Sequence, residues 1–150
     1  MIACAAGLRR ASAMALAVFV VASAGAAEIG QIKVSNGEVT VERRGESRPG
    51  TVGTRLESSD VVRTGAAGSV GITMADNSLL SAGPNSILSL DRFDFDPTSN
   101  QGRFDAQLQK GSLAVISGRI AKQSPEAMTV RTPSTILGVR GTEFVVAASD

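Results

Sequence analysis

The sequence contains no histidine, no tryptophan and no tyrosine, and its one cysteine, Cys4, stands close to the N-terminus. Without imidazole or a second thiol there is no Cys/His zinc site, no haem held through both ligand types, no Ser-His-Asp triad and no disulfide framework. Proton transfer near neutral pH falls to a strongly shifted carboxylate or lysine. An enzyme is therefore not expected, and neither catalytic residues, a cofactor nor a metal are assigned. A charge excess is missing as well: Lys and Arg number 15 against 14 Asp and Glu, a formal net charge of +1. Nucleic acid and anionic lipid both select a basic excess or stripe. The nearest approach, Arg43, Arg44 and Arg48, is interrupted by Glu42 and Glu46 and reads as a solvated hairpin rim.

What is present fits one globular domain: 150 residues, 43% hydrophobic and 19% charged, with 16 glycines. The N-terminus has the grammar of a cleaved signal peptide over residues 1–27. Arg9 and Arg10 supply the charge, Ala11 to Val21 is an apolar run broken only by Ser12, and small residues from Ala22 to Ala27 allow cleavage after Ala26 or Ala27. The apolar run is too short to cross roughly 30 Å of hydrocarbon, so no stable membrane span is expected after cleavage. Cys4 precedes the arginines, which is the wrong place for a lipoprotein cysteine, and the flanks of Arg9-Arg10 do not suit a twin-arginine signal. Loss of the leader takes two arginines and no acid, which leaves a mature charge of about −1. The expected location is periplasmic or secreted.

From Ile29 onward the hydrophobic period is two. Ile32-Lys33-Val34 and Val39-Thr40-Val41 flank Asn36-Gly37, which predicts a type I′ hairpin at that dipeptide. Alternation recurs at Val70, Ile72 and Met74, at Leu88 and Leu90, at Phe93 and Phe95, at Phe104, Ala106 and Leu108, and at Phe144 and Val146. Turn signals separate these runs at Pro49-Gly50, Gly65 to Gly68, Asp76-Asn77, Gly83-Pro84-Asn85, Pro97 to Gly102, Lys110-Gly111 and Pro133. The prediction is an all-β single domain over residues 28–150, made of short antiparallel strands in a sandwich, a roll or a short β-solenoid. Val62-Arg63-Thr64-Gly65 followed by Ser69-Val70-Gly71-Ile72 is echoed by Val130-Arg131-Thr132-Pro133 followed by Ile136-Leu137-Gly138-Val139. A duplicated strand-turn-strand unit and coincidence both account for this echo.

Five short motifs in order carry a family resemblance: Gly37-Glu38-Val39-Thr40-Val41, Asp60-Val61-Val62-Arg63-Thr64-Gly65, Ala75-Asp76-Asn77-Ser78, Gly83-Pro84-Asn85-Ser86, and Thr132-Pro133 leading to Gly138-Val139-Arg140-Gly141-Thr142-Glu143-Phe144. Together they resemble the FecR domain, from Ile32 to Val146. Asn77 stands where the family usually has Gly, and Ser59 stands before Asp60 where Gly is usual. The resemblance implies an extracytoplasmic module, similar to the stand-alone secreted members. The namesake proteins join this domain to a membrane span and a cytoplasmic anti-sigma segment. No such segment is seen here, so direct sigma-factor contact is not expected. The resemblance brings no catalytic residue.

Other residue sets invite sharper readings. Asp94, Asp96, Thr98, Asn100 and Asp105 fall at the oxygen positions of a calcium loop, but Ser99 replaces the required Gly and Pro97 lies inside. A polar connection between strands is the plainer reading. Asp91 and Asp94 could be posed as a glycosidase pair, although sequence does not fix their separation. Gly65, Gly68 and Gly71 are followed by neither the Lys nor the helix start of a phosphate loop. Arg140, between Gly138 and Gly141, is the candidate binding residue; the alternative is a guanidinium bonded internally, for example to Glu143. Phe144 is expected to supply a sizeable part of a modest core. Two functional classes follow. One is a non-catalytic binding or signalling module that meets an envelope protein or cell-wall component. The other is an envelope structural or assembly protein that self-associates or pairs through exposed strand edges.

Overall fold

The protein is described from a computed structural model covering residues 25–139 and 143–149. The predicted signal peptide, up to residue 24, and the stretch Arg140-Gly141-Thr142 lie outside the described residues. Twelve strands follow in chain order: β1 (Glu28–Asn36), β2 (Val39–Arg43), β3 (Glu46–Pro49), β4 (Arg55–Glu57), β5 (Val61–Thr64), β6 (Ser69–Met74), β7 (Leu79–Ala82), β8 (Ile87–Phe95), β9 (Gly102–Ile116), β10 (Met128–Arg131), β11 (Ile136–Gly138) and β12 (Glu143–Ala148). A single helical turn and a half, α1 (Arg119–Gln123), and a 3-10 turn at Pro125–Ala127 join β9 to β10.

Nine strands form one hydrogen-bonded path, β3-β2-β5-β8-β9-β7-β6-β1-β4, and the sheet curls so that its two halves face each other. The bend lies in β9. Its first part pairs with β8 on one side and with β10, in parallel, on the other. Its last six residues pair with β12, and Leu113 to Ile116 also pair with β7. Lys110-Gly111, read as a turn signal, therefore sits inside the longest strand. Gly111 adopts φ +94, and a Cβ there would fall 2.1 Å from Ser86 Oγ, so glycine alone allows the strand to pass from one half-sheet to the other. The fold is the roll among the predicted all-β alternatives.

Period-two patterning builds the core. In β6, Val70, Ile72 and Met74 are buried while Ser69, Gly71 and Thr73 are not. Phe104, with no exposed surface, packs edge-on against Phe93 at a centroid distance of 5.4 Å. Phe144 is only half-buried and packs against the rim of this cluster, so it contributes less than its scarcity implied.

The predicted hairpin at Asn36-Gly37 is not formed. Both flanking strands exist, but β1 pairs with β4 and β6 while β2 pairs with β3 and β5, so the dipeptide turns a corner between the half-sheets. Only Gly37 is left-handed, and it is wedged against the Gly65–Gly68 turn, where a Cβ would lie 2.4 Å from the Ala67 carbonyl oxygen. The type I′ geometry occurs one turn later, at Arg44-Gly45, with φ of 51 and 81 between the paired Arg43 and Glu46. The internal echo does not mark a structural repeat. β10 and β11 form a hairpin, whereas β5 and β6 lie in different half-sheets.

Candidate functional site

The most strongly bonded side chains occupy the motifs that carried the resemblance. Asp60 is fully buried at the corner between β4 and β5. Arg43, at the mouth of the β2–β3 turn, donates from Nε to Oδ1 at 2.8 Å and from Nη2 to Oδ2 at 2.7 Å. Its Nη1 reaches Glu57 at 2.9 Å, its Nη2 also reaches the Arg55 carbonyl at 3.1 Å, and the Glu57 amide donates to Asp60 Oδ2 at 2.9 Å. The hydrogen bonds to Asp60 hold the guanidinium above its ordinary value, against the opposing effect of burial. This clasp ties the β2 half-sheet to the corner that follows β4. The solvated rim expected here holds for the exposed Arg44 and Arg48, and not for Arg43.

Asp76 is the second fully buried carboxylate. Its Oδ1 accepts the Ser78 amide at 3.0 Å, and its Oδ2 accepts Ser78 Oγ at 2.8 Å and the Ile120 amide at 3.3 Å. The Gly118 amide donates to Ser78 Oγ at 2.9 Å and the Arg119 amide to the Asp76 carbonyl at 2.8 Å, so this turn caps the start of α1 from 40 residues away in sequence. Asn77 takes the left-handed conformation, φ 67, that the family's Gly would take. A third clasp joins Thr64, Ser86 and Ser112. Thr64 Oγ1 donates to the Gly83 carbonyl at 2.6 Å and accepts the Ser86 amide at 2.9 Å, while the Ser112 amide donates to Ser86 Oγ at 3.1 Å.

The calcium-loop residues are not brought together. Asp94 pairs with Arg92 at 2.7 Å and Asp105 with Arg103 at 2.9 Å, each on its strand. Asp96 instead closes the β8–β9 turn. Its carboxylate accepts the Thr98 amide at 2.9 Å, which holds it below the usual aspartate range, and Asn100 at φ 57 completes the polar connection. Among the described residues no group of three or more carboxylates or thiolates could hold a metal ion. Asp91 accepts from Ser89 Oγ and Asp94 from Arg92, so the posed glycosidase pair is two separately engaged side chains. Gly65 and Gly68 serve backbone crossings beside Glu38. Arg140, the candidate binding residue, lies outside the described residues.

Two concavities stand out by volume among those the described residues form. The larger, about 540 Å³, is an open cleft between the start of β1 and the β8–β9 hairpin, where Phe93 and Phe95 meet Asp94, Asp96 and Glu28. The other, about 310 Å³, is a mostly apolar trough on the outer face of the half-sheet β1-β6-β7-β9-β12. Val34, Leu79, Ile116 and Val145 are exposed on this face by 51%, 42%, 42% and 72%. Period-two alternation alone did not reveal this face. Its signal was the adjacent apolar pairs Leu79-Leu80, Val115-Ile116 and Val145-Val146, which in a strand put one apolar residue on each face.

Fold and side-chain bonding together define a small all-β domain whose motif residues are internal fastenings. The FecR family model, described as FecR protein, matches residues 60–150, and the chain belongs to that family. The matched region starts at the buried Asp60; the Gly37–Val41 motif and strands β1 to β4 precede it. A solved structure titled "Cell surface anchoring domain" is similar at 34% identity over 41% of this chain and 82% of its own, with a TM-score of 0.39. No curated protein matches the chain. Among the described residues no helix is long and apolar enough to cross a membrane.

Proposed function

We propose that the protein is a non-catalytic module of the bacterial cell envelope. In this reading it is exported by its leader to the periplasm or beyond and binds an envelope protein or cell-wall component in sensing or assembly. The observation that carries the reading is the use made of the buried carboxylates. Asp60 and Asp76 are each engaged by several internal donors, so these shielded acids hold the fold together. Recognition then falls to the outer surface. Family membership and the charge, apolar and small-residue order of the leader support the envelope assignment.

N-terminal sequencing of protein recovered from the envelope fraction should find a chain beginning at Ala27 or Glu28. A chain still starting at Met1 and held in the inner membrane would overturn the export reading. Cross-linking in envelope extract followed by mass spectrometry should yield one stoichiometric partner. A second reading, a structural protein that pairs through strand edges, is favoured by β12. That strand has a ladder partner on one side only among the described residues, is mostly apolar, and lacks the Pro, Lys or bulge that usually blunts an edge. Capture of the protein's own chain alone, cross-linked through the edge of β12, would decide for it.

A further inference from the structure

The trough on the outer face of β1-β6-β7-β9-β12 has an internal symmetry that selects its occupant, and this inference goes beyond the envelope reading. Strand register lays the outward residues in rows across the five strands. One row runs Val34, Gly71, Ser81, Ala114, Val145. It reads large, small, small, small, large from either side, with β7 at the centre. The next row runs Arg55, Gln31, Thr73, Leu79, Ile116, Glu143, with Arg55 supplied by β4, which flanks only this end of β1. Lys33 stands between the two rows at the irregular step of β1, and its Nζ donates to Gln31 Oε1, which draws the ammonium toward the second row. The face thus carries Lys33 at one margin, with the Arg55–Glu28 ion pair beyond it, Glu143 at the other margin and uncharged side chains between them. Four of the six large hydrophobics exposed among the described residues are found here; the other two are Val52 and Ile136.

We infer that this face binds a second copy of the chain through a two-fold axis running along β7. Such an axis keeps position along the strands and exchanges the margins. Val34 of each copy then meets Val145 of the other, Gly71 meets Ala114, and Leu79 meets its own counterpart. Lys33 of each copy faces Glu143 of the other, twice over. An axis parallel to the strands gives the aligned class of sheet-on-sheet packing, in which mean strand directions stay within about 30° of each other. The small residues of the first row let the two sheets approach, and the contact is isologous, as closed dimers require. Five strands at about 4.8 Å spacing make a patch some 20 Å wide, which places the contact at the small end of specific interfaces. The association is therefore expected to be reversible and concentration-dependent.

Sedimentation equilibrium of the secreted protein at low salt should show a monomer–dimer equilibrium with a Kd on the order of 10–100 μM. Lys33→Glu and Glu143→Lys should each weaken it by about tenfold or more, and the two together in one chain should restore it, because the reversed charges again meet their opposites. Position-specific cross-linking provides a second readout. Under mild oxidation, a mixture of Val34→Cys and Val145→Cys chains, each freed of Cys4, should give disulfide-linked heterodimers. A parent that stays monomeric up to about 1 mM overturns the proposal. So does a dimer indifferent to the single charge reversals, or one the double reversal fails to restore. Cross-linking of Val145→Cys chains only with one another would assign self-association to the β12 edge instead of the face.

Discussion

Replacing Arg43 by Ala tests the reading that family motifs here are fastenings. The substitution removes four hydrogen bonds and leaves Asp60, which has no exposed surface, with the Glu57 amide as its one remaining side-chain partner among the described residues. Breaking a buried ion pair from one side costs roughly 3–5 kcal/mol, since the surviving charge stays desolvated. At about 2.1 cal/mol/K of unfolding entropy per residue, a domain of this length loses about 4 °C of Tm per kcal/mol, so the variant should melt about 12–20 °C below the parent. Arg43→Lys should fall between the two, because one ammonium cannot reach both Asp60 oxygens, Glu57 and the Arg55 carbonyl together. The double variant Arg43→Met with Asp60→Ala should lose less than the sum of the singles, as the stranded charge leaves with its partner. Thermal melts followed by far-UV circular dichroism read the parent, each single variant, Arg43→Met and Asp60→Ala included, and the double variant. An Arg43→Ala chain melting within 2–3 °C of the parent, or strictly additive singles, would refute the reasoning. The guanidinium is held above its ordinary value, so its contribution is present below that value and is lost only in strong alkali; the Arg43→Ala deficit should not vary from pH 6 to 9 through arginine titration.

Ser59 stands at φ 73, left-handed backbone at the position where the family usually has Gly, so Ser59→Gly should raise Tm by about 2–4 °C, from relief of about 0.5–1 kcal/mol of strain. Phe104→Ala should cost roughly 3–5 kcal/mol and Phe144→Ala at most about half of that, read by urea unfolding, because the first ring is fully buried and the second only partly. Asp96 is held below the usual aspartate range mainly by the Thr98 amide, so its support of the β8–β9 turn is complete above that range and is lost as pH falls through the lowered value. Protection of the Thr98 amide against exchange, taken relative to the intrinsic rate at each pH, should fall in that acid window and stay flat above it; no change on acidification would sink the assignment.

Fold class was legible because alternation is nearly uninterrupted from β5 to β9, and turn glycines and asparagines mark most strand ends. Which strands pair was less so. Asn36-Gly37 has hairpin chemistry, yet the partners of β1 and β2 are chosen by burial of their inner faces against different halves of the roll, a long-range effect that dipeptide preference does not report. Lys110-Gly111 misled for a related reason. A glycine that permits a turn also permits a strand to cross another backbone closely, and only the position of Ser86 distinguishes the two. The Arg43 clasp was hidden because its partner is 17 residues away, on a strand end beyond the intervening hairpin.

The place of β9 in the sheet has a kinetic consequence. Before Gly102 the chain alternates between half-sheets, β1 to one, β2 and β3 to the other, β4 to the first, β5 to the second, so both accumulate side by side with no ladder between them. The strand that joins them comes late. An emerging chain therefore has little reason to lock into its final form until most of it is available, and its many pairings between distant segments place refolding in the millisecond-to-second range rather than the microsecond one. A polypeptide with that timetable stays threadable for longer than one whose early segments close on themselves.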